Sequence, residues 1–354
     1  MGQADPIFAG YDPNKLTIAT AVSHSSLQIF HGARAEGFKT MAIAAGERDT
    51  RYYDAFPRAK PDRVLQLNKY SDLLGMADEL RAENVVIVPH GSLVEYLGPD
   101  NYAKLRLPLY GNRDVLHWES DRDKQREWLE GAGIRMPRKI ADPSDIVEPV
   151  IVKYHGAKGG RGFFIAKSQS DFKRHIKGGE PYTIQEFVLG TRYYLHYFYS
   201  PLSTDGYRVG EGNLQLLSID RRDEANIDEM HRLGTTTELD AAGVHPTFVV
   251  TGNIPMVIRE SLIPEVFRMG EAVVRESAKR FGGLWGPFCL ETVVTDKLEF
   301  RVFEISARIV AGTNPFVAGS PYSEMIEPGM STGRRIAKEI KQAAKAGQLG
   351  RILS

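Results

Sequence analysis

A single cysteine, Cys289, stands in 354 residues, which excludes an internal disulfide and a multi-cysteine zinc site. That suits a reducing cytoplasm, the compartment expected here. No apolar run reaches the ~18 residues that would suggest a membrane span. Residues 1–15 are polar and turn-rich and do not read as a secretory signal. Neither sign of charge is in excess, since 45 basic residues balance 45 acidic ones. No global field therefore favours nucleic acid or an anionic membrane, and neither is expected as a partner. Internal repeats and low-complexity segments are also missing. What remains is 42% hydrophobic and 25% charged, as in globular proteins, and the length suits two or three packed domains.

The first third reads as α/β. Residues 16–20 form an apolar run, and the polar turn Ser23-His24-Ser25-Ser26 follows. Leu27, Phe30 and Ala33 then recur at helical spacing, and residues 40–45 are apolar again. A helix over about 72–81 leads to a strand at 85–88 and a second polar turn, Pro89-His90-Gly91-Ser92. Open α/β sheets place ligands at such turns, at the carboxyl ends of parallel strands. A linker helix follows. Ser120 or Asp121 can cap it, Asp123 sits where a capping-box acid belongs, and Gly131, Gly133 and Pro137 end it. Beyond it, strand signals dominate at 150–154, 162–166, 182–188, 193–199, 213–219, 288–295 and 298–305. Helices are expected at about 264–281 and 333–346. The second half is therefore α+β with antiparallel sheets.

Four constellations bear on chemistry. Lys153 ends an apolar strand and precedes a loop rich in glycine that carries Lys158 and Arg161. Glycine lets backbone approach a polyphosphate, and successive N–H groups with two cations can form an anion nest. A hairpin tip with solvated charges fits the same residues. The pattern is neither a P-loop nor a dinucleotide fingerprint. Second, the apolar strand carrying Glu186 breaks at Gly190, and its edge could offer backbone groups to an adenine ring. An ordinary core strand would read the same way. Third, Glu291 and Glu304 lie on two strands joined by a turn around Thr295-Asp296-Lys297. A four-residue loop at 296–299 makes them direct cross-strand partners, with Cβ atoms roughly 4.5–5.5 Å apart. Such a pair invites Mg²⁺ shared with nucleotide phosphates. An odd loop would put them on opposite faces, and each could then simply pair with a surface cation. Fourth, Ser25 and Ser26 stand at a helix N-terminus, where orphan N–H groups bind anions, or where serine merely caps. His24 could add a hydrogen bond or a proton. Cys289 reads as core, and Arg221-Arg222-Asp223-Glu224 as a solvated turn.

In that order, the α/β domain, the glycine-rich hairpin after Lys153, the strand of Glu186 and the late Glu–Glu hairpin resemble the ATP-grasp superfamily. More specific motifs are Ala21-Val22-Ser23-His24-Ser25-Ser26, Pro89-His90-Gly91-Ser92, Thr251-Gly252-Asn253-Ile254-Pro255 and Phe303-Glu304-Ile305-Ser306-Ala307-Arg308-Ile309. With Gly319-Ser320-Pro321-Tyr322 and Met330-Ser331-Thr332-Gly333-Arg334-Arg335-Ile336-Ala337, they make the chain similar to the archaeal formate-dependent 5-formaminoimidazole-4-carboxamide ribonucleotide synthetases. The resemblance implies an α/β N-terminal domain plus α+β ATP-grasp domains with antiparallel sheets. It implies a substrate domain over 1–118, a linker helix and ATP lid over 119–190, and a metal and catalytic subdomain over 191–354.

The implied reaction is ATP- and formate-dependent formylation of the aminoimidazole carboxamide ribonucleotide (AICAR). His24, Ser25, Ser92 and Asn253 would bind the ribonucleotide. Lys153, Lys158, Glu186, Val188 and Glu224 would contact ATP. Glu291 and Glu304 would hold Mg²⁺ or Mn²⁺, with Lys153 and Arg308 neutralising charge at the reacting phosphate. Ser306 departs from the superfamily, many members of which have a metal-binding asparagine there, and Asn314 is the residue expected to compensate. The partners implied are small molecules, with a homo-oligomer as the expected assembly. An ATP-grasp ligase for another acid or amine, a nucleotide-binding paralogue without turnover and a nucleotide kinase remain alternatives.

Overall fold

Four parallel strands open the chain: β1 (Thr17–Ala21), β2 (Lys39–Ala45), β3 (Arg63–Leu67) and β4 (Val85–Ile87), in the order β3-β2-β1-β4. The computed structural model describes residues 7–23, 25–155, 162–243, 248–310 and 320–354. Central β1 is buried along its whole length, as a parallel strand covered on both faces must be. Edge strand β3 is mostly exposed and too polar to have stood out as a strand. The helix Ser26–Ala35 crosses from β1 to β2. The helix expected at 72–81 divides into a 3₁₀ turn, Tyr70–Met76, and an α-helix, Ala77–Ala82, on either side of the Met76–Ala77 bond. Asp121 caps the linker helix Arg122–Gly131 by accepting from the N–H groups of Asp123 and Lys124 at 3.0 and 3.1 Å. Asp123 therefore falls one position short of a capping box.

A small antiparallel sheet follows, from β5 (Lys139–Ile140), β6 (Val150–Tyr154), β7 (Phe163–Ala166) and β8 (Tyr182–Glu186), in the order β5-β8-β6-β7. Its apolar side has a core of its own around Val150, Val152, Phe172 and Ile184. The largest sheet has six strands: β9 (Thr191–Ser200), β10 (Tyr207–Val209), β11 (Gly212–Asn226), β12 (Phe248–Pro255), β13 (Gly286–Val294) and β14 (Phe300–Ser306). Their order is β10-β11-β9-β13-β14, with β12 paired to the far half of β11. Arg221-Arg222-Asp223-Glu224 lie inside the fifteen-residue β11 and are not the solvated turn expected from their charge. One face of this sheet buries Leu195, Tyr197, Leu290 and Ile305 in the main core, with Val266, Met269 and Val273 of the helix Ile263–Phe281. The other face is polar around Asp220 and Glu291, while Phe198 on it joins the apolar cluster of Ile336 and Ile340. Among the described residues, no helix is long and apolar enough to cross a membrane.

The last helix, Thr332–Lys345, packs across the first, Ser26–Ala35. Its Ile336 and Ile340 join Ile18, Ile29 and Val86 in one cluster, so this late segment helps cover the opening sheet. Two glycines make the crossing possible. A Cβ on Gly32 would stand 2.2 Å from the backbone nitrogen of Arg334, and one on Gly333 would stand 2.2 Å from the carbonyl oxygen of Gln28. Neither backbone can yield without parting the helices. Gly333→Ala is expected to cost about 1–3 kcal/mol or more through overpacking. Gly75→Ala, with nothing within 4 Å of its added Cβ, is the control and should be close to neutral. Thermal unfolding of the two variants checks this, and equal midpoints would refute it.

Candidate active site

Glu291 and Glu304 are direct partners across β13 and β14, but not for the reason the turn length suggested. The Thr295 N–H donates to the Glu299 carbonyl at 3.0 Å, and the Leu298 N–H to the Thr295 carbonyl at 2.9 Å. The loop is therefore residues 296–298, with Leu298 in the left-handed region at φ 60°. That is an odd length, which alone would put the two carboxylates on opposite faces. The pairing then slips: Thr292 opposes Val302 while Glu291 opposes Glu304, leaving Phe303 as the extra residue of a β-bulge. The bulge restores the shared face.

Following the register outward, Glu304, Glu291, Tyr194, Asp220 and Pro255 form one row across five strands. The row two residues along is Ser306, Cys289, His196 and Ser218. Side chains two apart on a strand share a face. These rows are the polar face of the sheet.

Glu291 is 6% exposed, whereas Glu304 opens to solvent. Burial, reinforced by the neighbouring Glu304 charge, pushes the Glu291 carboxyl up to about 7 despite Arg222. The Arg222 guanidinium lies 3.6 Å above the Tyr194 ring, with Nη2 3.6 Å from Glu291 Oε1. Lys153 approaches from β6 in the smaller sheet, with its Nζ 5.5 Å from the Phe303 ring centre. Burial lowers its pKa, while Glu304 and Glu291 act in the opposite direction. Among the described residues, no group of three His, Cys, Asp or Glu side chains forms a metal cage. Two facing carboxylates nevertheless fit Mg²⁺, which takes one or two carboxylates and fills its octahedron with phosphate oxygens and water.

Arg308 follows β14 and is ion-paired with Glu119, whose other oxygen accepts the Ala307 N–H at 2.9 Å. Arg308 Nε and Nη1 are buried and make no hydrogen bond among the described residues. The Gly91 N–H donates to the Ile309 carbonyl at 2.9 Å, which stitches the second polar turn to the segment that follows the metal strand. Ser23 Oγ donates to Ser92 Oγ at 2.8 Å, which ties the first turn to the second. His90 holds that junction, with Nε2 3.0 Å from the Ala21 carbonyl and Nδ1 accepting the Leu93 N–H at 3.3 Å. Ser25 occupies the N-cap position of the first helix without capping it, and its buried hydroxyl makes no hydrogen bond among the described residues. Helix capping therefore does not account for this serine. His24, the glycine loop with Lys158 and Arg161, and Asn314 lie outside the described residues.

The remaining expected ATP contacts are set differently. β8 lies between β5 and β6, so Glu186 is not on a sheet edge, and its carboxylate accepts the Arg138 N–H at 3.1 Å. Val188 lies beyond the end of β8, half-buried. Glu224 sits at a bulge in β11, half-buried and 3.3 Å from Arg192 Nη1. Burial raises its pKa against the pull of Arg192. Asn253, on β12 opposite Arg222, donates from Nδ2 to Asp220, which also takes a hydrogen bond from His196. Burial opposes the charge of Asp220, but His196 and Asn253 outweigh it and hold its pKa low. His196 and Asp220 carry no mark in the sequence as functional residues, and Arg222 reads there as part of a solvated turn. Leu217 and Ile219 alternate with Ser218 and Asp220, but Arg221 and Asp223 stand where apolar residues would recur, so the alternation ends before the strand does.

Comparison with known proteins places this geometry. Residues 18–140 match a family described as a protein of unknown function (DUF1246), and residues 169–354 one described as a domain of unknown function (DUF1297). The 5-formaminoimidazole-4-carboxamide-1-(beta)-D-ribofuranosyl 5'-monophosphate synthetase of Methanococcoides burtonii is 61% identical over 352 residues, covering 99% of each chain. The synthetase of the same name from Pyrococcus horikoshii is 47% identical over 350 residues, covering 95% of this chain and 99% of that one. A crystal structure of an IMP biosynthesis protein PurP from Thermococcus kodakaraensis superposes with a TM-score of 0.72 at 28% identity, covering 95% of this chain and 100% of that one. N5-carboxyaminoimidazole synthetase from Staphylococcus aureus complexed with ADP shares the fold at a TM-score of 0.58 and 15% identity, over 83% of this chain and 70% of that one. Built on the ATP-grasp fold, the chain belongs to the family of 5-formaminoimidazole-4-carboxamide ribonucleotide synthetases.

Proposed function

We propose that this chain is an ATP-dependent carbon–nitrogen ligase that formylates AICAR with formate, giving the formamido ribonucleotide, ADP and phosphate on the way to IMP. A formate oxygen attacks the γ-phosphorus of ATP and ADP leaves, giving formyl phosphate. The exocyclic amine then attacks the formyl carbon, phosphate departs, and the amine gives up a proton. Folate is not needed.

The observation that carries this reading is the paired carboxylates with a buried lysine beside them. Lys153 from a second sheet stands beside the paired carboxylates of β13 and β14, and the joined turns of Ser23 and Ser92 are tied to Ile309, three residues past the end of β14. Phosphoryl transfer asks the protein mainly for positioning and charge neutralisation. Glu291 and Glu304 would hold Mg²⁺ or Mn²⁺, which neutralises phosphate charge when bound. Lys153 and Arg308 add cationic donors, and Lys153, Lys158, Glu186, Val188 and Glu224 bind ATP. His24, Ser25, Ser92 and Asn253 bind the ribonucleotide. Excluding water protects an acyl phosphate from hydrolysis. The same proposal includes the cytoplasm as the compartment and an assembly of identical copies, which sedimentation of the purified chain tests.

Turnover is tested with ATP, Mg²⁺, formate and the ribonucleotide, each omitted in turn. ADP and formylated product should require all four. Product formed without formate would reject the acid, and a diphosphorylated nucleotide in place of inorganic phosphate would identify a kinase.

A further inference from the structure

The acid must stand between the γ-phosphate and the amine, and Arg222, beside Glu291 of the carboxylate pair, is a buried cation without a full set of partners among the described residues. Arg222 faces Glu291 on the metal side and is in register with Asn253 on the ribonucleotide side. Its side chain is 11% exposed. Nε and Nη2 are buried and make no hydrogen bond among the described residues. The 3.6 Å separation from Glu291 is an ion pair too long for a hydrogen bond. The guanidinium lies over Tyr194, so its flat side is engaged while N–H donors at its edge are not.

Burying charged donors unsatisfied costs far more than leaving them in water. A ligand that accepts from them recovers that cost on binding. The fork of N–H groups in a guanidinium matches the two oxygens of a carboxylate.

We propose that Arg222 binds the carboxylate of the acid substrate, orienting formate between the Glu291–Glu304 pair and the ribonucleotide amine. The inference rests on the ligase reading above. A structural role as counter-ion to Glu291 needs only positive charge, so Lys would serve. Carboxylate recognition needs the fork.

Formate-dependent turnover of the unaltered chain is measured first, and its absence rejects the ligase reading itself. With turnover established, R222K is compared for the KM of each substrate. Hydrogen bonds to charged groups are worth about 1.5–3 kcal/mol, so the KM for formate should rise about 10–100-fold. The KM values for ATP and the ribonucleotide should stay unchanged. R222K with an unaltered formate KM, or with a KM for ATP that rises equally, would overturn the subsite while leaving the ligase reading intact. R222A assayed with added guanidinium supplies the second arm. Recovery of formate affinity supports the subsite, and recovery of thermal stability alone assigns Arg222 to structure.

Discussion

Glu304→Gln should leave a folded protein that releases ADP at least about 10²–10³-fold more slowly, the loss seen when one preorganised electrostatic contact is removed from a reacting centre. Glu304 is solvent-exposed, so the amide costs little in packing. Its carboxylate faces the buried Glu291 directly, and that like charge raises the pKa of Glu291. Removing it relieves repulsion, so the thermal midpoint should hold or rise while turnover falls. Opposite movement of stability and activity is the mark of a strained functional site. The cation role is read apart from turnover by calorimetric titration of Mg²⁺ with ADP present, where affinity should fall in step. Wild-type turnover in this variant would remove the metal role. Glu291→Gln is a poorer probe, because that side chain is buried and faces Arg222, so folding and chemistry would change together.

Much of the fold was legible because its signals are local. The βα unit at 17–35, the helix Ile263–Phe281 and the last helix follow from apolar periodicity and capping, and each lies close to its expected bounds. The Glu291–Glu304 pairing is present, but the turn does not produce it. Parity of the loop predicted it, and parity fails, since the three-residue loop is offset by the bulge at Phe303. A bulge inserts one residue without any mark in the hydrophobic pattern, so pairing across a hairpin cannot be counted from the turn alone. Charge misled at Arg221-Arg222-Asp223-Glu224. Four ionisable residues in a row look solvated, yet they extend β11 because Arg222 finds Glu291 and Tyr194 and Glu224 finds Arg192. Those partners come from other strands and are invisible along the chain. For the same reason Glu186 looked like an edge residue. Only the pairing of β8 with the two-residue β5 shows that it is interior.

Lys153→Met should cut kcat/KM about 10²-fold or more, with the loss shared by the KM for ATP. The case turns on the sign of the lysine's own contribution to stability. Its pKa is lowered in the fold, because burial and the nearby Arg122 and Arg192 outweigh Glu304 and Glu291. At neutral pH the charged form is therefore less comfortable in the folded chain than in water, and the charge works against folding. Methionine keeps the stem packed near Phe303 and removes that penalty, so the thermal midpoint should hold or rise. A cation kept where it destabilises the empty protein is there for a ligand, and a nucleotide phosphate carrying a divalent cation would satisfy both signs, its oxygens facing Lys153 and its metal facing the Glu291–Glu304 pair. If Lys153 were instead a structural partner of Glu304, the variant would lose stability and activity together. Differential scanning calorimetry beside ATP-saturation kinetics separates the two, and a midpoint that falls in parallel with turnover would strip Lys153 of its place at the phosphates.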